Sequence, residues 1–408
     1  MANLLSTKIS KKNFISFLWH ASFLALAQSF LDIDTIVPAM IIEAGGSAMH
    51  VGIMATILTG GSSFTQILFA PYISNKPYKK KFLLLGINFR IFSLLGLGLL
   101  LIFLNESQQG SILWLIFLFI SIFAIGGAFA NISYTDIIGK SILPDRRKTF
   151  FSSKQMITSI ILISSAFWAK KVLSGNEFPI NYSHAIIIGC IGLSIASLGF
   201  WNIRETVPAS LPIKSFASFI NTMKEELRTN KKLGYFLGFV NTQGLVIGFL
   251  PFLILYSKQH GGLSSEGTGT LLIFKIIGSV IVSLTIFFLS KRIKYKGMLY
   301  ANTFFALLIP FSVLFFGADV PMQFVFLVGG IVFALYSISM NGVLLEISGN
   351  HNRAIYAGFA GAGNILPAIF PLVGGWLINS YGFNTFFLVY IIILSSSLFF
   401  IYRLNCRK

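Results

Sequence analysis

Twelve apolar runs, each long enough to cross about 30 Å of hydrocarbon as a helix, fill most of this 408-residue chain. They lie at about 14–42, 48–73, 82–104, 111–139, 149–171, 184–203, 233–257, 267–290, 298–317, 322–345, 354–379 and 384–402. Only 11% of residues are charged, against about 25% in soluble domains. That is too little polar surface to cover a water-soluble body of this size, so the chain reads as an all-α integral membrane protein. Its 43 Phe fit helices that are apolar all round and face lipid.

The net charge is +18, which in a soluble chain would suggest nucleic acid. Here the basic residues sit in short clusters between apolar runs, so no nucleic-acid partner is expected and the positive-inside rule applies. With both termini in the cytoplasm, 25 of the 31 Lys and Arg fall on the cytoplasmic side. Three (Lys170, Lys171 and Lys258) fall near the outer side, and three (Arg90, Lys154 and Lys275) fall within spans. That asymmetry supports twelve spans in a cell inner membrane. Ala25-Leu26-Ala27 imitates a signal-peptide cleavage site, but the apolar run continues to Ile42, too far for such a peptide. We expect no cleavage there.

The loops are short except 204–232, a polar segment that divides six spans from six. It contains SFASFINTMKEELRTNKK, amphipathic and basic, expected to lie along the cytoplasmic membrane face. The predicted division is an N-terminal six-helix half at 1–203, a linker at 204–232 and a C-terminal half at 233–408. The halves repeat. Span one reads AQSFLDIDTIVPAMII and span seven VNTQGLVIGFLPFLIL, so that Pro38 matches Pro251 and Gln28 matches Asn241. Spans four and ten each carry Gly-Gly, at 126–127 and 329–330, and each is followed by a loop containing Arg. Parallel repeats across a central loop are a transporter architecture, with a site near the midplane between the halves.

The chain resembles the major facilitator superfamily over nearly its whole length. After span two it reads PYISNKPYKK, a degraded form of that family's Gly-x-x-x-Asp-Arg-x-Gly-Arg-Lys signature. Pro71 stands for the first Gly, Asn75 for the Asp, Lys76 for the Arg and Tyr78 for the second Gly, while Lys79 and Lys80 keep the basic pair. The acid of the family's charge-based latch is therefore missing. Span five lacks the Gly-Pro pair of the family's drug antiporters, and span four lacks the Arg of many proton-coupled members. The resemblance implies twelve helices in two pseudo-symmetric halves and a cavity lined by spans one, four, seven and ten. It does not identify a subfamily.

Acids inside an apolar span are costly, and such residues usually face the bundle interior or a water-filled cavity. Asp32 shares a stripe with Ala21, Ala25, Gln28, Thr35 and Ala39, all small or polar, which suggests a ligand for solute or a proton carrier. Asp34 shares its face with His20, Phe23, Ala27 and Phe30, closer to a packing pattern. Pro38 cannot donate to the Asp34 carbonyl, nor Pro251 to that of Ile247, so each helix is expected to loosen there. Lys275, about eight residues from the outer end of span eight, is expected to pair with Asp32 or to read an anionic solute.

Polar stripes add Asn131 and Tyr134 beside Gly127, Asn241 beside Gly234 and Gly238, Thr59, Ser63 and Gln66, Gln155 and Thr158, and Ser337 and Asn341. Any one of these reads equally well as glue between helices. Asp136, Arg147 and Lys154 form an expected gate or loop-ordering cluster at the cytoplasmic end. Arg90 reads as a structural anchor, and His20 as a hydrogen-bonded packing residue whose chemistry also suits proton relay.

No enzyme constellation, cofactor or metal site is expected. His20, His50, His184, His260 and His351 are scattered, and Cys190 and Cys406 form neither a disulfide framework nor a metal motif. Nothing resembles a phosphate-cradling Gly-rich loop ending in Lys-Ser/Thr, so ATP is not the expected energy source. The expectation is a monomeric secondary transporter that moves a small polar or anionic solute, coupled to protons, amid membrane lipids. An efflux carrier or uniporter, and a receptor built on a transporter scaffold, are the alternatives.

Overall fold

The computed structural model describes residues 5–103, 109–208, 216–289, 293–348 and 363–404. Among these residues every regular element is helical. The reason is the solvent. In hydrocarbon no water satisfies a backbone N–H or C=O, and a helix pairs all of them within one segment.

Helix α1 spans Thr7–Phe30, α2 Ile36–Glu43, α3 Ala48–Thr56 and α4 Ser62–Ser74, with a π turn at Ile57–Gly61 between the last two. Then come α5 Lys80–Ile102, α6 Gln109–Ser141, α7 Pro144–Ser174 and α8 Ile180–Asn202. The central loop contributes the amphipathic α9 at Phe216–Thr229. Next are α10 Lys231–Gln243 and α11 Leu250–Gly261, joined by a 3-10 turn at Gly244–Gly248. Last are α12 Ser265–Leu289, α13 Tyr295–Phe316, α14 Met322–Ser348 and α15 Ile365–Arg403. Residues 349–362, which hold Arg353 and the start of the eleventh apolar run, lie outside the described residues.

Nine helical stretches among the described residues are long and apolar enough to cross a membrane. The difference from twelve apolar runs has local causes. The runs 14–42 and 48–73 are each broken, by the non-helical residues 31–35 and by the π turn. The last two runs share α15, which turns at Gly382 (φ 81°, ψ 174°), a backbone conformation that a side chain would strain. Large apolar side chains such as Phe103, Phe288 and Phe315 point outward. That is a poor surface for water and a suitable one for lipid.

The described chain divides into two compact units. One holds residues 1–32 and 64–218, the other 33–63 and 219–408. In the first, α1 packs along α7 and α8, and α5 lies against α6 and α8. In the second, α12 crosses α14, while α15 runs against α3, α10 and α13. This division differs from the contiguous one expected from sequence in residues 33–63. Their packing is intimate: a Cβ on Gly375 of α15 would come within 2.6 Å of the Ala48 carbonyl oxygen in α3. Only small residues allow that approach.

The Gly-Gly repeats perform this task in each unit. In the first, a Cβ on Gly126 would lie 2.7 Å from the Gly86 carbonyl oxygen of α5. In the second, a Cβ on Gly330 would run into the backbone carbonyl of Lys275 in α12. Each crossing seats a basic residue of the neighbouring helix, Arg90 or Lys275, beside the dipeptide.

Candidate functional site

In the second unit, the helix break puts Asp34 one residue before the N-terminal cap of α2, at Thr35. The freed turn sits four residues before Pro38, which lies inside α2 and lacks the N–H that would continue the ladder backward. Span seven loosens likewise, through the 3-10 turn that precedes Pro251 at the start of α11. The Asp34 Oδ2 atom lies 2.5 Å from Lys275 Nζ, with the two side chains 5% and 8% exposed. Nearer the end of α2, Glu43 is ion-paired to Lys258 and accepts a hydrogen bond of 3.1 Å from Ser265 Oγ. The structure thus pairs Lys275 with Asp34, the acid that looked like a packing residue. The face comparison that favoured Asp32 assumed one continuous helix, and the break re-aims both acids. Asp32 is half-buried within the break.

Asn241 has a structural task that its sequence stripe did not reveal. Its Oδ1 accepts from the backbone N–H groups of Ile365 (3.1 Å) and Leu366 (2.9 Å), two of the orphan donors at the start of α15. Its Nδ2 donates to the carbonyls of Leu237 (2.8 Å) and Gly363 (2.6 Å). The amide is engaged in holding two helices together. Its repeat partner Gln28 is exposed on α1.

In the first unit, Gly127, Asn131 and Tyr134 share a face of α6, at spacings of four and three residues. Tyr134 packs its ring against Phe17, Phe200 and His20 at centroid distances of 5.6, 5.9 and 6.4 Å. Its hydroxyl lies 3.4 Å from Lys154 Nζ. His20 is buried, stacked on Phe200 at 3.6 Å, with Nδ1 3.1 Å from the Ala196 carbonyl oxygen. A carbonyl only accepts, so this nitrogen carries the proton and Nε2 is left as an acceptor. Asn131 is exposed along the same stripe.

The expected gate of Asp136, Arg147 and Lys154 is not a single cluster. Asp136 pairs with Lys79 (3.0 Å) and Lys140 (2.7 Å). Arg147 donates instead to the carbonyls of Gly139 and Ile142 at the end of α6. Lys154 belongs with Tyr134. The missing member is Glu205, whose carboxylate accepts from the backbone N–H groups of Lys79 (2.8 Å) and Lys80 (2.8 Å) at the N-terminus of α5 and pairs with Lys140 at 2.8 Å. The signal was present: an acid after span six can cap a helix N-terminus, where N–H groups and the helix dipole attract negative charge. The loop that lacks the family's acid is thus held by acids from elsewhere.

Smaller candidates are spent locally. The Thr59 and Ser63 hydroxyls donate to the carbonyls four residues back, at 2.7 and 3.1 Å. Thr158 does the same to Lys154 at 2.9 Å. The side chains of Gln66 and Asn341 lie outside the described ones.

Comparison with known proteins supplies the family. No curated protein sequence matches the chain. A single-site mutant of the nucleoside transporter NupG is similar in structure, with a TM-score of 0.67 at 16% identity over 96% of this chain and 98% of that one. A POT family transporter in complex with a thioalcohol-conjugated peptide gives 0.69 at 12% over 96% of each. A D-xylose-proton symporter gives 0.64 at 14% over 97% of this chain and 96% of that one. Identities this low establish the shared fold and nothing finer. The family model of the Major Facilitator Superfamily matches residues 18–364. This chain is therefore a multi-pass membrane protein that belongs to the Major Facilitator Superfamily.

Proposed function

We propose that this chain is a secondary transporter that carries a small polar or anionic solute by alternating access, driven by a proton gradient. Twelve spans form two pseudo-symmetric halves at 1–203 and 233–408, joined by the cytoplasmic linker 204–232, with both termini in the cytoplasm of an inner-membrane protein. The chain acts as a monomer. Structural neighbours named as nucleoside, peptide and xylose-proton carriers support the class of cargo. The xylose-proton symporter supports the choice of ion.

The observation that carries this reading is the break at residues 31–35, which holds Asp32 and Asp34. Non-helical backbone at membrane depth is tolerated only where protein covers it or water lines it. Acids at such a place are functional by default. Asp34 is held by Lys275, so its protonation and the release of that lysine are one coupled event. Asp32, two residues beyond the end of α1, is the proton carrier or solute ligand.

The test is uptake into proteoliposomes under an imposed inward proton gradient, with uridine, D-xylose, dialanine and succinate as labelled solutes. The wild type accumulates one of them, and collapsing the gradient stops accumulation. Asp32→Asn is expected to remove the dependence on the gradient. Accumulation that ignores both the gradient and Asp32→Asn contradicts the proposal.

A further inference from the structure

Arg90 and Lys154 are the two cations of the first unit that lie within spans, and neither has a carboxylate partner among the described residues. Arg90 projects from α5 onto α6, its guanidinium carbon 4.1 Å from the centre of the Phe123 ring. Gly126 and Gly127 make the room: a Cβ at the first would lie 3.0 Å from Arg90 Cγ, and at the second 3.9 Å from Arg90 Nε. That Nε is buried and has no hydrogen-bond partner among the described residues. Lys154, from α7, lies 5.7 Å from the centre of the Tyr134 ring, with its Nζ 3.4 Å from the hydroxyl.

Aromatic faces offset part of the cost of a buried cation, though less than a carboxylate would. A structural anchor at this depth would be expected to find an acid, as Lys275 does. The register of α6 relates the two cations. Phe123, Gly127, Asn131 and Tyr134 recur at i, i+4, i+8 and i+11 and share one face. Gly127 marks the Arg90 level and Tyr134 the Lys154 level, about 10 Å apart along the helix. The exposed amide of Asn131 lies between them. A guanidinium presents paired N–H donors that match the two oxygens of a carboxylate or phosphate.

We propose that this face of α6 is the binding site for an anionic solute, with its carboxylate or phosphate on Arg90 and its far end at Asn131, Tyr134 and Lys154. The inference deepens the carrier reading and rests on it for the solute's passage, though not for its binding. It assigns anion recognition to Arg90 rather than to Lys275, whose charge Asp34 already balances.

The experiment measures equilibrium binding to the purified full chain in detergent, by calorimetry and thermal shift. Succinate and glycerol 3-phosphate probe the two acid chemistries, and succinamide is the neutral control. One of the two anions, and not succinamide, is expected to bind the wild type and raise its melting point. Arg90→Gln is expected to weaken that binding by about tenfold to a hundredfold, the usual effect of losing a charged hydrogen-bonding partner. Arg90→Lys should bind at an intermediate level.

A second readout separates binding from anchoring. Without ligand, Arg90→Gln should melt at or above the wild-type temperature, because it removes an unbalanced charge. Binding by neither anion, or equal binding by wild type and Arg90→Gln, overturns the proposal. A lower melting point of ligand-free Arg90→Gln with its anion affinity intact also overturns it and makes Arg90 an anchor. Intact binding without flux contradicts the carrier reading instead.

Discussion

Lys275 Nζ and Asp34 Oδ2 lie 2.5 Å apart, where a break between two helices meets the crossing of α12 and α14. A buried ion pair stabilises little by its presence and costs much when halved, because one charge then stays in a medium that cannot solvate it. Asp34→Ala and Lys275→Met are each expected to destabilise the protein by about 3–5 kcal/mol, and the double variant to recover most of that loss. Thermal unfolding of the four proteins in detergent forms the cycle. Additive losses would mean that the two groups do not act as a pair.

Glu205 does for α5 what a capping side chain does, and it also carries a salt bridge to Lys140. Glu205→Ala leaves two helix-terminal N–H groups without their acceptor, at about 1–3 kcal/mol for each that stays buried, and takes from the Lys140 ammonium one of its two carboxylate partners. Its melting point should fall by several degrees. Glu177→Ala, at an exposed site, should leave it within experimental error.

Buried in the second unit, Gln243 accepts at Oε1 from Thr303 Oγ1 (3.0 Å) and Ser397 Oγ (3.1 Å), and donates from Nε2 to Asn302 Oδ1 (2.6 Å). All four residues are sealed from solvent. Gln243→Leu strands their polar atoms, with an expected loss of about 1–3 kcal/mol for each group left unpaired. Faster amide hydrogen exchange in α13 would locate the effect. Unchanged exchange there would remove the network from the account of stability.

The glycine contacts separate positions of like chemistry. Gly126→Ala drives a methyl against the Gly86 carbonyl and the Arg90 stem, and should cost about 1–3 kcal/mol. Gly139→Ala, in the same helix with nothing within 4 Å, should be neutral or stabilise by up to about 1 kcal/mol. Melting temperatures of the two variants in one detergent decide the point.

What could be read from the sequence followed from period and solvent. Runs of twenty apolar residues have one stable form in lipid, and prolines at matching places in the repeats marked both loosened helices. Less legible was anything that depended on the exit direction of a side chain. The stripes of Asp32 and Asp34 follow from an unbroken helix, whereas residues 31–35 are non-helical. Asn241 lies on a polar stripe, yet its partners Ile365 and Leu366 are more than a hundred residues away, in a helix whose docking no local pattern encodes. Glu205 reads as an ordinary loop acid, because its partners, the N–H groups of Lys79 and Lys80 and the ammonium of Lys140, come from distant parts of the chain.

A carrier moves its ligand, whereas a receptor only binds it. Counterflow in proteoliposomes tests this without a driving force: vesicles are loaded with a high concentration of whichever solute raises the melting point, and entry of labelled solute is followed. The expected result is a transient accumulation of label, carried by the wild type and absent from empty vesicles. A ligand that stabilises the reconstituted protein and yet shows no counterflow would make it a receptor on a transporter scaffold.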